Sequence, residues 1–162
     1  MAYLDQRMAA ASINYMKAAP ELFRDLVAFA ERTGQVELDD KLKALVKTRT
    51  SQINGCAWCI EMHVGEARAA GEDDDRLLLL ETWREVDHFS ARERAALAWT
   101  DAVTRLADPS TLAAALDEAR AELSDREIVE VTVMLGATNI FNRLNVGLGL
   151  TPSVDKPKAK AA

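Results

Sequence analysis

Residues 51–63 read SQINGCAWCIEMH, and this stretch holds both cysteines of the chain and one of its two histidines. Cys56, Cys59 and His63 stand at i, i+3 and i+7, which places all three on one face of a helix. Backbones three residues apart on a helix are close enough for a disulfide. Residues four apart stack along the face, so His63 can reach Cys59. Asn54-Gly55 is a chain-turning pair that opens the helix near Cys56. A thiol in the first turn meets free backbone N–H groups and the positive end of the helix dipole, which favour a thiolate. The dipole thus favours Cys56 and the imidazole favours Cys59. Because the histidine is the unusual element, the sequence points to Cys59 as the thiol that meets substrate and Cys56 as its resolving partner.

Outward from this segment the chain reads as helix throughout. Ala, Leu, Glu and Arg dominate, and neither an internal repeat nor a clear strand is visible. A first helix is expected over Asp5 to Ala18. Pro20 suits a first turn and Gly34 the position past a helix end, giving Glu21 to Thr33. A third helix starts at Asp39 or Asp40 and runs towards Asn54. The cysteine helix runs from about Cys56 to Gly71, and a fifth covers Asp73 to about Arg84. Ser90 with Glu93 and Ser124 with Glu127 form capping boxes for a sixth helix through Ala107 and for the last long one. Pro109-Ser110 leads a shorter helix through Ala121 between them. The expectation is one all-α domain of seven or eight helices over residues 1–152, with residues 153–162 a disordered basic tail.

The last helix is apolar over most of its circumference, from Ile128 and Val129 through Phe141 and Leu144. Such a helix is central to a core or covered by another subunit, and in a chain this small the pattern leans towards a homo-oligomer. Length and composition fit a folded acidic protein, with 49% hydrophobic residues and a net charge of −6. That acidity argues against nucleic acid as a partner. Residues 128–150 approach membrane-span length, but Glu130, Asn139, Asn142, Arg143 and Asn145 interrupt them, so no membrane partner is expected. The opening MAYLDQRMAA carries charges where a secretory leader has an apolar run, and a cytoplasmic location is the expectation. In a reducing compartment a CxxC pair is usually catalytic or metal-binding.

Three competing readings stand beside dithiol chemistry. The cysteines could be two small buried hydrophobes. Cys56, Cys59, His63 and His88 could hold zinc, although the usual spacing of two ligand pairs is missing. The pair could also serve a redox-sensing or structural oligomer without turnover. His88, in VDHF before the Ser90 cap, reads as a loop residue. Trp58 reads as packing that also keeps a pocket dry, and Trp83 and Trp99 as core or interface aromatics.

SQINGCAWCIEMH, followed by EARAAGE, then ERAALAWTDAVT (Glu93 to Thr104) and NIFNRLNVGL (Asn139 to Leu148), resembles the alkylhydroperoxidase AhpD-like family of the carboxymuconolactone decarboxylase superfamily. The match runs from about Leu42 to Leu150. The resemblance implies an all-α fold, a homo-oligomer (a hexamer ahead of a trimer) and a thiol-dependent peroxidase that needs no cofactor. Its partners would be a hydroperoxide and an external dithiol or thiol-protein reductant. It also implies that Cys59 reacts with the hydroperoxide, that Cys56 resolves the sulfenic acid as a disulfide, and that His63 helps deprotonate the thiol. Two positions depart from the family's peroxidase pattern. A relay glutamate twelve residues before the first cysteine is here Ala44, and a histidine just before the second is here Trp58. Glu93 is the candidate replacement carboxylate.

Overall fold

The computed structural model describes residues 11–152. Eight α-helices and one 3₁₀ segment follow one another among them: α1 (Tyr15–Ala18), α2 (Pro20–Gly34), α3 (Asp40–Ile53), α4 (Ala57–Ala69), α5 (Asp74–Leu79), the 3₁₀ segment (Leu80–Glu85), α6 (Ala91–Arg105), α7 (Pro109–Glu122) and α8 (Asp125–Gly147). The all-α expectation holds.

The capping logic holds too. Asp39 accepts a hydrogen bond from the Leu42 amide at 2.8 Å and opens α3. Ser90 and Ser124 form full capping boxes with Glu93 and Glu127. Each such cap satisfies amide groups that would otherwise be orphaned at a helix start.

Helix α3 is the axis of the molecule. It packs on α4, α6 and α8. Leu42 and Val46 enter one core cluster with Val131, Met134 and Leu135 of α8. Ala44 and Leu45 enter a second with Ala67 of α4, Leu97 of α6 and Trp83. A helix buried on both faces must also hide polar side chains. Thr50 and Ser51 do so by donating to the carbonyls of Val46 and Lys47, at 2.8 and 2.9 Å. Burying each leucine on this axis contributes roughly 1.5–3 kcal/mol.

Three expectations need correction. The fifth helix is not continuous to Arg84: the α-helix ends at Leu79 and the chain tightens into the 3₁₀ segment, with Thr82 at φ −107° and ψ 26°. The core explains this. Leu77, Leu80 and Trp83 are the buried residues there, and a spacing of three aligns with three residues per turn. The first helix, expected over Asp5 to Ala18, is helical only from Tyr15 within the described residues. Asn14 caps it, and the Ser12 amide instead donates to Leu148 O at 2.8 Å, tying this segment to the end of α8. Residues 5–10 and the tail expected over 153–162 lie outside the described residues. Finally, Cys56 lies not in the first turn of α4 but at its N-cap.

The last helix is both central and uncovered. Ile128, Val131, Met134 and Leu135 are buried, while Val129, Val133, Ile140 and Val146 remain exposed. No helix among the described residues is long and apolar enough to cross a membrane.

Candidate active site

The turn between α3 and α4 sets the cysteines. Gly55 takes φ +66°, a left-handed conformation that a residue with a Cβ adopts only at a cost. The Cys56 amide then donates to Ser51 O at 2.9 Å. Asn54, just ahead, donates to Asn139 Oδ1 and Asn142 Oδ1 of α8, both at 2.8 Å. Asn142 in turn donates to Ser51 Oγ at 3.2 Å. The turn is therefore bolted to α8 by side-chain amides.

Cys56 and Cys59 are joined as a disulfide, with Cα atoms 5.3 Å apart. Both are 1% exposed. Cys56 Sγ, at the N-cap, accepts from the Cys59 amide at 3.4 Å. Cys59 Sγ accepts from Asn145 Nδ2 at 3.3 Å, and Asn145 Oδ1 accepts from the Tyr15 hydroxyl at 2.8 Å.

His63 lies one turn beyond Cys59 on α4 and is 6% exposed. In this disulfide form its Nδ1 bonds to Glu66 Oε2 at 3.0 Å, and no hydrogen bond joins it to either sulfur. The same Glu66 oxygen accepts from Lys47 Nζ of α3 at 2.5 Å. Burial pulls the Glu66 carboxyl upwards, but the bonds and charges of His63 and Lys47 outweigh it and bring its pKa to about 2. An ionised carboxylate only accepts, so the proton on the imidazole sits at Nδ1 and the Nε2 lone pair is left free. Burial lowers the His63 pKa below its ordinary value, and Glu66 opposes this only in part. At neutral pH the ring is a neutral base.

A cavity of about 410 Å³ opens on this cluster. His63, Glu66 and Lys47 mark its polar edge. Its body is apolar, with Phe23 and Val27 of α2, Trp58 and Met62 of α4, and Phe141 of α8 among the walls. Helix α2 leaves all but Thr33 less than fully buried, and it acts as the outer wall of this space.

Glu93 does not serve as the carboxylate for His63. It accepts from the Ser90 amide at 2.7 Å and pairs with Arg76, which also holds Glu72. Glu66 holds the histidine instead. It lies one helical turn past His63, inside the EARAAGE string, and the spacing H-x-x-E was there to be read. Lys47, Tyr15 and Asn145 come from other helices and carry no local signal. His88 is exposed in the loop before α6, as expected of a loop residue. No group of three or more His, Cys, Asp or Glu side chains gathers as a metal site among the described residues. Trp83 is core, whereas Trp99 is partly buried and donates to Thr132 Oγ1 at 2.8 Å.

An all-α domain with a buried CxxC pair at a helix start defines a class of helical dithiol proteins. A sequence profile of the carboxymuconolactone decarboxylase family matches residues 20–102, and the chain belongs to that family as an AhpD-like member. The uncharacterised protein YdfG of Bacillus subtilis (strain 168) is 29% identical over 137 residues, spanning 85% of this chain and 93% of its own. A crystal structure of an Agrobacterium tumefaciens protein of unknown function, assigned provisionally to AhpD antioxidant defence, superposes with a TM-score of 0.83. It is 40% identical, and the match covers 88% of this chain and 99% of that one. The apo debrominase Bmp8 shares the fold, with a TM-score of 0.76 at 19% identity over 88% of this chain and 77% of its own.

Proposed function

We propose that this protein is a thiol-dependent peroxidase that reduces organic hydroperoxides through a Cys56–Cys59 dithiol/disulfide cycle. The observation that carries this reading is the closed, buried Cys56–Cys59 pair beside His63, with an apolar cavity at the histidine. The provisional AhpD assignment of the Agrobacterium protein, 40% identical to this chain, supports it.

The cycle follows from the groups present. In the reduced protein His63 Nε2 accepts the Cys59 thiol proton, and Glu66 steadies the resulting imidazolium. The Cys59 thiolate attacks the outer peroxide oxygen. The O–O bond breaks, an S–O bond forms, and the alkoxide leaves as an alcohol with the proton from His63. Cys59 is now a sulfenic acid, oxidised by two electrons. The Cys56 thiolate attacks Cys59 Sγ, the S–O bond breaks, and hydroxide leaves as water on gaining a proton. An external dithiol then reduces the disulfide by exchange and is itself oxidised to a disulfide. The cavity volume and apolar walls suit a hydroperoxide carrying a hydrocarbon group better than hydrogen peroxide.

We place the protein in the cytoplasm as a homo-oligomer, a hexamer ahead of a trimer. The support is the uncovered apolar face of α8, where Val129 is 60% exposed and Ile140 44%. The peroxidase reading is tested by steady-state consumption of cumene hydroperoxide with a panel of dithiol donors. The wild type should turn over, and Cys59→Ser and Cys56→Ser should not. Cys56→Ser should leave a sulfenic acid on Cys59 that dimedone traps. Peroxide-oxidised protein that no dithiol donor returns to turnover would instead mark a redox sensor.

A further inference from the structure

Asn145 is 0% exposed, deep between α8, α4 and the Tyr15 segment. A buried amide must place each of its polar groups. Its Oδ1 takes the Tyr15 hydroxyl at 2.8 Å, and its Nδ2 gives to Cys59 Sγ at 3.3 Å. The orientation is fixed by chemistry. A sulfur without a proton, in a disulfide or a thiolate, can only accept, so the amide turns its N–H to it and its oxygen to the phenol, which donates. Burial raises the Tyr15 pKa, which keeps the phenol protonated and donating.

A disulfide sulfur is a weak acceptor. A thiolate is a strong one, and hydrogen bonds to ions are roughly twice as strong as neutral ones. The Asn145 N–H is therefore worth more in the reduced, ionised site than in the oxidised one. Cys56 Sγ has its own donor, the Cys59 amide, and the helix dipole. We propose that Asn145 is a catalytic thiolate donor that selects Cys59 as the attacking sulfur, and that Tyr15 is the positioning residue that aims it. This rests on the reading of Cys59 as the peroxide-reactive thiol.

Cys56, Glu61 and His63 share the segment of Cys59, with Glu66 a turn further. Lys47 reaches the cluster from α3 through Glu66, and Tyr15 comes from α1. Helix α8 offers the neutral Asn145, while its Arg143 bonds to Asn139. The effect of Asn145 can thus be separated from that of His63.

The test is the pH dependence of alkylation by iodoacetamide in single-cysteine proteins. With Cys56→Ser, adding Asn145→Leu should raise the Cys59 pKa by about one unit, a roughly tenfold slower alkylation below the pKa. Asn145→Asp keeps the shape, retains the Tyr15 bond and sets a negative charge against the sulfur, so it should raise the pKa further. Tyr15→Phe should raise it by less. With Cys59→Ser, the Cys56 pKa should not move with any of these, which a general loosening of the fold would not achieve. An unmoved Cys59 pKa in Asn145→Asp overturns the proposal, as do equal shifts at both cysteines. Should the Asn145 variants not fold, Tyr15→Phe decides: a shift confined to Cys59 supports the proposal and none overturns it. Wild-type turnover without a shift rejects the donor alone, and a shift without turnover rejects the peroxidase reading alone.

Discussion

Replacing Glu66 with glutamine keeps the size of the side chain and removes its charge, and so isolates what the carboxylate does for His63. Glu66 Oε2 is 3.0 Å from His63 Nδ1 and also receives Lys47. Two unit charges about 4 Å apart interact by about 4 kcal/mol at an effective dielectric near 20. The Glu66 side chain is 44% exposed, so water screens the pair. A realistic loss for the imidazolium is about 1 kcal/mol. When His63 takes the Cys59 proton, the thiolate–imidazolium pair weakens by that amount. At 1.4 kcal/mol per tenfold, alkylation of Cys59 at pH 7 should slow about fivefold. The assay is the iodoacetamide rate against pH in Cys56→Ser, where the serine can still cap α4. His63→Ala should slow it more, and Glu66→Gln added to His63→Ala should do nothing further. If Glu66→Gln slows alkylation equally with and without His63, the carboxylate acts on Cys59 by another route and the relay as drawn is wrong.

Further outcomes follow from the same geometry. Mild peroxide should lower the intact mass of a reduced chain by about two hydrogens and a dithiol should restore it, with no chain-to-chain linkage on a non-reducing gel. His63 has its pKa lowered by burial, so the unfolded state takes up a proton first as pH falls below about 6.5. Thermal stability should therefore decline from pH 7 towards 5, and His63→Gln should flatten that decline. Glu66, held at about 2, acts in a lower window: its contribution is full above its ordinary value and is lost as pH falls towards 2. Light scattering at micromolar concentration should find a multimer, and Val133→Asp should dissociate it; a wild-type monomer would contradict the assembly proposed here.

The helices were legible because their ends are written in local chemistry. Asp39, Ser90 and Ser124 cap through their own side chains, and Pro20 and Pro109 stand where a missing N–H does no harm. The break after Leu79 was not legible. Nothing in the local sequence forbids an α-helix to Arg84, and only the demand that Leu77, Leu80 and Trp83 all reach one core selects the tighter winding. The first helix failed for a similar reason. Its capping signal at Asn14 is real, but the competing partner for Ser12 is Leu148 O, far along the chain.

The site divides along the same line. Cys56, Cys59, His63 and Glu66 sit on one helix and its cap, so their proximity is a matter of spacing, and the choice of Glu93 over Glu66 was avoidable. Asn145 is different. In the sequence Asn139, Asn142 and Asn145 look like interruptions of an apolar helix, a reason to reject a membrane span and nothing more. Their spacing of three puts them along one side of α8, and burial makes each amide find a partner. Asn139 and Asn142 accept from Asn54 and hold the turn that leads into Cys56, while Asn145 meets the sulfur of Cys59. Polar residues placed inside an otherwise apolar helix are expensive unless paired. Three such residues on one stripe, in a chain with a cysteine pair to position, mark the face against which that pair is held. The asparagines continue the buried side of α8 beyond its core residues. Met134 and Leu135 go to the core, the asparagines go to the dithiol turn, and Val129 and Val133 are left on the outside, where the assembly test looks for a second subunit.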